Sequence, residues 1–333
     1  MANKIETIAV IGAGAWGTAL ATVACRAGAQ VRLWAREPEV VASVNAHHEN
    51  SMFLPGVPLD PRITASTEYE IVQEADAVLL VSPAQATRAV GTELASHLGG
   101  GIPVAICAKG IEQNTGKLLS DVLGEVLPQA DRMVLSGPSF ASDVARGLPT
   151  AVTLAGADEA QTRALADALA IPSFRPYLSG DVTGAQVGGS VKNVLAIACG
   201  IVEGKGFGAS ARAALTARDF AELQRFGVAM GAKPETLAGL SGLGDLILTC
   251  NSEQSRNMSL GLALGQGQSV DEVLGARNSV SEGVFTAGVL VGMAEKLGID
   301  MPISAAVHGI VSGKSGVDDT IEDLLNRPIR AEA

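Results

Sequence analysis

Six residues near the start of the chain restrict its fold more than any other feature. Residues 12–17 read GAGAWG, a G-x-G-x-x-G motif that directly follows a five-residue apolar run, Thr7–Ile11. An apolar helical pattern, Trp16–Ala27, begins inside the motif, and a second apolar run, Gln30–Trp34, comes next. This order of strand, glycine turn, helix and strand is the context in which the motif binds a dinucleotide. The start of the chain therefore predicts a βαβ unit.

The three glycines of the motif have separate expected roles. Gly12 permits the tight turn after the strand, Gly14 lets the backbone approach a pyrophosphate, and Gly17 lets the helix pack closely on the strand. The N-terminus of the helix offers free N–H groups and the positive end of its dipole to the anion.

The end of the second apolar run indicates which dinucleotide binds. A site for NAD usually has an acid there, which accepts a hydrogen bond from the ribose 2′-hydroxyl. In this chain that position is Ala35, and the next residue is Arg36, whose planar guanidinium suits a 2′-phosphate. Glu37 could bind a ribose instead, and Arg36 could be an ordinary surface arginine. We therefore expect NADP or NAD as the cofactor, with a preference for NADPH.

The first 180 residues alternate short apolar runs with helical patterns, for example a predicted helix over Thr115–Leu127. Such alternation is typical of a parallel sheet covered by helices on both faces. We therefore expect an α/β domain with a doubly wound sheet of Rossmann type. Its further predicted strands are Ala77–Val81, Pro103–Cys107, Met133–Leu135, Thr150–Leu154 and Ser173–Tyr177.

Beyond residue 180 the strand-like runs end and long helical patterns follow. Asp181 is the predicted N-cap of the first of them. We therefore place a boundary at this point, with a dinucleotide-binding Rossmann domain in residues 1–180 and an all-α substrate and catalytic domain in residues 181–333. The glycine-rich residues 261–267 predict a turn. The predicted helices are Asp181–Glu203, Ser210–Met230, Ser281–Leu297 and Ser304–Ser312.

Composition restricts the partners. There are 35 acids and 24 bases, which gives a net charge of −11, and aromatic residues make up 3% of the chain. Nucleic acid requires a positive surface for its phosphates and often aromatic side chains for its bases, so it is not an expected partner. Local basic residues can still bind a small anion, because a cleft has its own potential.

The cysteines and histidines, four of each, form no CxxC pair and no Cys/His cluster. This predicts neither a zinc site nor a disulfide framework, and it is typical of a reducing cytosol. Residues 7–25 are uncharged, but three glycines interrupt them and Glu6 lies where a signal peptide has basic residues. We therefore expect a cytoplasmic protein with no integral membrane segment, and a homodimer is possible.

One lysine interrupts the first long apolar helix of the second half. Lys192 follows Gly188 and Gly189, and because helical side chains lean towards the N-terminus, its amine should lie over these glycines. Each glycine in a helix interior costs about 1 kcal/mol relative to alanine, and room for a small ligand would compensate. Burial would lower the pKa of Lys192 towards a range useful for proton transfer. Alternatively, Lys192 reaches water beside a helix–helix glycine contact.

Four short polar segments add further candidates. Lys109 and residues 136–141 (SGPSFA) follow predicted strands, at the carboxyl edge where such sheets bind ligands. Asp245 lies in an apolar, glycine-rich stretch, and residues 255–257 (SRN) are a compact set of donors that alone would suit an ordinary loop. Lysines, an arginine and small hydroxyl donors together indicate a small phosphorylated substrate.

In combination, six segments resemble the NAD(P)-dependent glycerol-3-phosphate dehydrogenase family of bacterial type. The resemblance runs from residue 8 to about residue 313, and it implies a Rossmann domain followed by an α-helical domain. It also implies interconversion of sn-glycerol 3-phosphate and dihydroxyacetone phosphate, which in cells usually supplies glycerol 3-phosphate for phospholipid synthesis. The segments are GAGAWGTALA (12–21), AKGIE (108–112), SGPSFA (136–141), VGGSVKNVLAIACG (187–200), GLSGLGDLILTC (239–250) and QSRN (254–257).

The resemblance implies roles for individual residues. Lys192 would be the general base in oxidation and the general acid in reduction, exchanging a proton with the C2 oxygen of the substrate. Lys109 would contact substrate and cofactor, and Asp245 would orient the reacting group. No metal is implied. The other implied substrate contacts are Gly137, Ser139, Ser255, Arg256 and Asn257. Besides the glycine motif, the implied dinucleotide contacts are Ala15, Trp16, Arg36, Lys109, Ala141, Arg256, Val280 and Glu282.

Two positions depart from the family pattern, and two alternatives remain. The family often has serine at position 15, and many members have a second basic residue at position 37, whereas this chain has Ala15 and Glu37. The acidic Glu37 weakens the case for a strict NADP preference.

A β-hydroxyacid or 6-phosphogluconate dehydrogenase is an alternative, but these enzymes usually have an asparagine several residues after the lysine, whereas Asn193 is adjacent to Lys192. A non-catalytic dinucleotide sensor is another, and it would not require Lys109, Lys192 and Asp245 to converge.

Overall fold

The apolar runs of the first half form one eight-stranded sheet. The computed structural model describes residues 4–275 and 281–328. The strand order is β3-β2-β1-β4-β5-β6-β7-β8, so the direction of progress reverses between β1 and β4, where doubly wound sheets bind ligands. The strands are β1 (Thr7–Ile11), β2 (Gln30–Trp34), β3 (Ile63–Ser66), β4 (Ala77–Leu80), β5 (Pro103–Ile106), β6 (Asp131–Ser136), β7 (Thr150–Gly156) and β8 (Phe174–Ser179).

The sheet confirms the predicted Rossmann-type fold class, with two differences. No apolar run predicts β3, an edge strand in which only Ile63 is fully buried. The sheet is also not entirely parallel, because β7 runs antiparallel to β6, with Met133 opposite Gly156. Their connection contains only a five-residue helix, Ala141–Ala145, which is too short to carry the chain back along the sheet as a parallel crossover requires.

Helices cover both faces of the sheet and form the second half. Alternate residues of β1 belong to opposite hydrophobic clusters, one shared with α1, α2, α5 and α6 and the other with α3 and α4. The described helices are α1 (Ala15–Arg26), α2 (Pro38–His47), α3 (Thr87–Leu94), α4 (Leu119–Val126), α5 (Ala141–Ala145), α6 (Glu159–Leu169), α7 (Val182–Gly204), α8 (Gly208–Ala229), α9 (Pro234–Leu237), α10 (Asp245–Cys250), α11 (Arg256–Gly265), α12 (Val270–Gly275), α13 (Glu282–Leu297), α14 (Pro302–Val311) and α15 (Val317–Leu325).

The long helix α7 is the centre of the second core, in contact with α8, α10, α11 and α13. Asp181 caps it as predicted, since its Oδ1 accepts a hydrogen bond of 2.8 Å from the backbone N–H of Gly184. By length and hydropathy α7 would suffice to cross a membrane, but 94% of its most apolar window is buried inside the protein. Its apolar composition is therefore explained by packing on all sides.

The predicted turn at residues 261–267 is wrong, because α11 continues to Gly265. A methyl group at Gly261 or Gly265 would overlap the carbonyl oxygen of Ile197 or Ile201 in α7. These glycines therefore let two helix backbones approach closely, and this contact offsets their low helix propensity. The helix predicted over 115–127 also begins later, at Leu119, since Gly116 has a φ of +69° that a helix does not accommodate.

Candidate active site

Two lysine amines bind the two oxygens of one buried carboxylate. Lys192 Nζ lies 2.6 Å from Asp245 Oδ1, and Lys109 Nζ lies 2.6 Å from Asp245 Oδ2. Asp245 is 1% exposed, whereas the side chain of Lys109 is 17% exposed. The structure thus brings together three candidates that are 136 positions apart at the extremes.

The three residues come from separate elements at the carboxyl edge of the sheet. Lys109 follows β5, Lys192 lies in α7, and Asp245 is the first residue of α10. A π-helical turn, Leu240–Gly244, precedes α10 and places its first residue against α7. Ligands of doubly wound sheets bind at this edge, so the position of the three residues suits a substrate site.

The glycines before Lys192 have a different purpose from the expected one. A methyl group at Gly188 would overlap the carbonyl oxygen of Ser241, and one at Gly189 would lie 2.6 Å from Ser136 Oγ and 3.4 Å from the Lys109 side chain. The space over these glycines therefore holds the turn before α10 and the stem of Lys109. The low helix propensity of Gly188 and Gly189 is therefore offset by the close packing of site residues against α7.

Burial lowers the pKa of the Lys192 amine to about 8. The charge of Asp245 opposes this shift, and the positive charge of Lys109 adds to it. Lys192 Nζ also donates a hydrogen bond of 2.7 Å to Thr249 Oγ1, so its direction is restricted from two sides. An amine with a pKa near neutrality can both accept and donate a proton at physiological pH.

Thr249 is a site residue that the sequence analysis misses. It lies four positions after Asp245 in α10, and residues at this spacing share one face of a helix. The same helical spacing, applied to a candidate acid, would have found it.

The backbone after β6 adds acceptors beside Lys109. Gly137 has a φ of +152°, and its carbonyl oxygen accepts hydrogen bonds from Lys109 Nζ (3.1 Å) and Ser139 Oγ (3.0 Å). A methyl group at Gly137 would lie 2.9 Å from Val152 Cα, so a side chain is not tolerated. Gly137 and Ser139 thus lie next to Lys109, and Ala141 begins α5 nearby in the chain.

A chain of amides connects this cluster to α11 and α13. Asn257 Nδ2 donates to Asn193 Oδ1 at 3.0 Å, and Asn257 Oδ1 accepts from the backbone N–H of Gly283 at 3.1 Å. Asn193 Nδ2 lies 3.5 Å from the carbonyl oxygen of Lys109. The side chain of Asn257 therefore fixes the positions of three segments around the site.

Ser255 and Arg256 lie at the start of α11. Ser255 is its N-cap and accepts a hydrogen bond of 3.2 Å from the backbone N–H of Met258. Burial lowers the pKa of Arg256, and the nearby carboxylate of Glu282 opposes this shift. A guanidinium at the N-terminus of a helix is an arrangement that favours an anion.

Glu282 connects α13 to the loop after β4. Its Oε1 accepts a hydrogen bond of 3.2 Å from the backbone N–H of Ala84, whereas its Oε2 is buried with no hydrogen-bond partner among residues 4–275 and 281–328. Burial raises the pKa of this carboxyl. Such an unpaired acceptor at the sheet edge suits a ligand that donates a hydrogen bond. Val280 lies outside the described residues.

The glycine motif has the geometry that a dinucleotide requires. Gly12 has a φ of +119° and a methyl group there would lie 2.9 Å from Val81, while one at Gly17 would overlap the carbonyl oxygen of Gly12. At Gly14, by contrast, a methyl group would point into open space, and no side chain caps the first turn of α1. The N–H groups of Ala15 and Trp16 in this turn are therefore positioned to meet a pyrophosphate.

A dinucleotide fits the residues present at both ends of this cradle. In the described part of the chain, the indole Nε1 of Trp16 is buried without a hydrogen-bond partner, like the Oε2 of Glu282. Arg36, at the end of β2, has a side chain that is 83% exposed and pairs with Glu37 at 2.7 Å. Arg36 and Glu37 thus stand together at the position that contacts the ribose in such folds.

Comparison with known proteins agrees with the sequence pattern. Family models described as the N-terminus and the C-terminus of NAD-dependent glycerol-3-phosphate dehydrogenase match residues 7–162 and 181–322. The glycerol-3-phosphate dehydrogenase (NAD(P)+) of Parvibaculum lavamentivorans is 62% identical over 332 residues, with 100% of both chains covered. That of Caulobacter vibrioides is 56% identical, with 98% of this chain and 99% of the relative covered.

A solved structure extends the similarity to the whole fold. The crystal structure of glycerol-3-phosphate dehydrogenase from Coxiella burnetii superimposes with a TM-score of 0.93 at 38% identity, and the match covers 97% of this chain and 99% of that one.

Proposed function

The chain belongs to the NAD-dependent glycerol-3-phosphate dehydrogenase family, and we propose that Lys192 transfers the proton in its reaction. The enzyme interconverts sn-glycerol 3-phosphate and dihydroxyacetone phosphate with NAD(P). The bound dinucleotide supplies the chemistry of a hydride acceptor or donor. The observation that carries the proposal is the shared Asp245 carboxylate, which holds the amines of Lys192 and Lys109 side by side at the sheet edge.

In oxidation, the neutral amine of Lys192 takes the proton of the C2 hydroxyl while the C2 hydride leaves, so that the C2–O bond becomes a carbonyl. In reduction, the ammonium of Lys192 returns the proton to the C2 oxygen as the hydride arrives at C2. Lys109 donates a hydrogen bond to the same oxygen and stabilises the negative charge that develops on it. Asp245 and Thr249 hold the Lys192 amine in place, and the pKa near 8 suits both directions.

The phosphate of the substrate binds at the start of α11. Arg256 supplies the charge there, and the N-terminus of a ten-residue helix adds its dipole. Ser255 and Asn257 shape this end of the site, since their side chains already hold α11 and its neighbours in position. Gly137 and Ser139 line the part of the site next to Lys109.

The dinucleotide extends from the glycine motif to Glu282. Gly14, Ala15 and Trp16 bind the pyrophosphate, and Arg36 contacts the adenosine ribose. Because Ala35 is buried and Arg36 is exposed at that point, a 2′-phosphate is accommodated, which favours NADPH over NADH. The remaining proposed contacts are Ala141, Arg256, Val280 and Glu282.

Three further features of the protein belong to the same proposal. Residues 1–180 bind the dinucleotide and residues 181–333 complete the substrate site; the change from strands to helices at this point supports the boundary. The enzyme acts in the cytoplasm and supplies glycerol 3-phosphate for phospholipid synthesis. It is a homodimer, which light scattering of the purified protein would test.

Replacement of the proposed proton donor tests the mechanism. We expect Lys192→Ala to lower kcat at least about 10³-fold while NADPH binding, followed by fluorescence, persists, because a proton-transfer group contributes on this scale. Added methylamine should restore part of the turnover, an effect that loss of structure would not give. Lys4→Ala removes an exposed lysine and is the matched control.

Near-normal turnover in Lys192→Ala would refute the assigned role. A panel of substrates distinguishes this reaction from that of a hydroxyacid dehydrogenase. Turnover of a hydroxyacid but not of dihydroxyacetone phosphate would contradict the glycerol 3-phosphate reaction.

A further inference from the structure

A second cluster of ionisable groups lies behind the active site. Cys199 of α7, Asp219 of α8 and Cys250 at the end of α10 are all fully buried, and their sulfur and carboxylate oxygen atoms lie within 4.8 Å of one another. These residues are 20 and 31 positions apart in sequence, so no spacing motif reveals them. The proton-transfer mechanism above does not use them.

The carboxylate of this cluster is only partly satisfied. Asp219 Oδ2 accepts a hydrogen bond of 3.3 Å from the Cys199 thiol, but Asp219 Oδ1 is buried and no residue of the described ranges bonds to it. Burial raises the pKa of Asp219 well above its usual value. A buried acceptor without a partner is costly and requires an explanation, and a bound cation would provide one.

We propose that Cys199, Asp219 and Cys250 form a binding site for a thiophilic divalent metal ion such as Zn²⁺. Two thiolate sulfurs and one carboxylate oxygen are a donor set that this ion prefers over Mg²⁺ or Ca²⁺. Zn–S bonds of about 2.3 Å place tetrahedral ligands about 3.8 Å apart, so side-chain shifts of about 1 Å close the observed cluster. The Thr216 hydroxyl, 3.6 Å from Cys199 Sγ, or a water provides the fourth ligand.

Binding exchanges protons for the metal. One Zn²⁺ replaces the protons of two thiols and of the Asp219 carboxyl, and these protons leave to solvent. The ion thereby supplies a partner for the Asp219 carboxylate, which the fold otherwise buries with one oxygen unbonded.

A cavity of about 560 Å³ provides an approach to the cluster. It lies between α8 and the segment from Leu243 to Asn251, and Thr216 is part of its wall. Because Thr216 also contacts Cys199 Sγ, its side chain lies next to both the cavity and the cluster.

Metal binding is expected to affect turnover through α10. Cys250 directly follows Thr249, whose hydroxyl accepts the hydrogen bond from Lys192 Nζ, and Asp245 lies in the same helix. Drawing Cys250 towards a metal shifts Thr249 and disturbs the orientation of the amine. Zn²⁺ is therefore expected to inhibit, and this consequence alone rests on the proposed function.

Cadmium titration of the full chain tests the site directly. In protein purified with a chelator and a phosphine reductant, Cd²⁺ should produce a thiolate-to-metal charge-transfer band in the ultraviolet that saturates at one equivalent, and Mg²⁺ should produce none. Cys199→Ser and Asp219→Asn should each lower the affinity at least about tenfold. Cys25→Ser, which removes another buried free cysteine, is the matched control and should leave the titration unchanged.

Alkylation of the unaltered chain keeps the proposal testable if a variant does not fold. Mass spectrometry after a short denaturant pulse should show that Cd²⁺ protects Cys199 and Cys250 but not Cys25 or Cys107. Absence of the band, an unchanged band in Cys199→Ser, or equal protection of all four cysteines would overturn the site. If Cd²⁺ binds as expected while Lys192→Ala retains its activity, the proposed mechanism fails and the metal site stands.

Discussion

The charge of Asp245 controls the pH range in which Lys192 can act, and Asp245→Asn isolates this effect. Asparagine has nearly the same shape and keeps an acceptor oxygen, but it removes the negative charge 2.6 Å from Lys192 Nζ. In the unaltered enzyme this charge stabilises the ammonium and raises the pKa of Lys192 against the effect of burial. The substitution should therefore lower the pKa of Lys192.

The size of the shift follows from the distance. Two unit charges 2.6 Å apart interact by about 1.6 kcal/mol at the dielectric constant of water and by about 6 kcal/mol at an effective value of 20. At 1.36 kcal/mol per unit, the pKa should fall by about 1 to 5 units. The pKa of Lys192 is lowered throughout this range.

The pH dependence of kcat/KM in both directions is the assay. In the proposed mechanism, reduction of dihydroxyacetone phosphate needs the Lys192 ammonium. In the unaltered enzyme the rate of reduction should therefore fall as the pH rises through about 8, and that of glycerol 3-phosphate oxidation should rise there. In Asp245→Asn both midpoints should lie at least about one unit lower. The ionisation of the substrate phosphate is common to both proteins, so the difference reports the enzyme.

An exposed carboxylate provides the control for this comparison. Asp60→Asn makes the same chemical change in a carboxylate that pairs with Arg62, and its profile should match the unaltered one. A midpoint in Asp245→Asn that is unmoved or higher would show that the carboxylate does not stabilise the Lys192 ammonium.

Two further predictions concern the cofactor and the helix packing. Arg36→Ala should raise the KM for NADPH much more than that for NADH, because only NADPH has the 2′-phosphate; equal effects in steady-state assays would mean that Arg36 does not contact this group. Gly261→Ala should lower the free energy of unfolding by about 1 to 3 kcal/mol, since its methyl group would overlap the backbone of α7. Gly292→Ala, at a helix position with open space, should instead raise the free energy of unfolding by up to about 1 kcal/mol. Thermal denaturation of both variants is the measurement, and a change in the same direction in both would contradict the packing argument.

The parts of the fold that sequence predicts well are those determined by neighbours in the chain. The glycine motif, β1 and α1 are contiguous, and each has a local requirement: a positive φ at Gly12, space at Gly14 and an absent side chain at Gly17. The N-cap of α7 is likewise local, since Asp181 accepts its hydrogen bond from Gly184, three positions later in the chain. These requirements involve residues close together in sequence, so a local pattern is sufficient to predict them.

The parts that sequence misses depend on distant contacts. Residues 261–267 look like a turn because glycine weakens a helix, and only the backbone of α7 reveals why Gly261 and Gly265 belong in one. The antiparallel direction of β7 similarly depends on how short the connection before it is in three dimensions. In each case a tertiary contact outweighs the local preference.

The candidate site contains both kinds of feature, those that local sequence predicts and those that depend on distant contacts. Lys109, Lys192 and Asp245 are each conspicuous in sequence, but spacing does not show that one carboxylate joins both amines. The positions of Thr249 beside Lys192 and of Asn257 beside Asn193 become evident only in the folded structure.

The charges of the site explain why an acidic protein suits an anionic substrate. Lys109 and Lys192 surround a single carboxylate, so the cluster has a net charge of +1 when both amines are protonated, and Arg256 balances Glu282 at the edge. This positive charge lies in a largely buried cluster, where the net charge of −11 on the whole chain is screened by distance and solvent. A phosphorylated ligand would supply the missing negative charge, and the binding mode proposed above places its phosphate at Arg256 and its reacting carbon beside Lys192. The local potential of the crevice, rather than the overall composition, therefore determines which anion the enzyme binds.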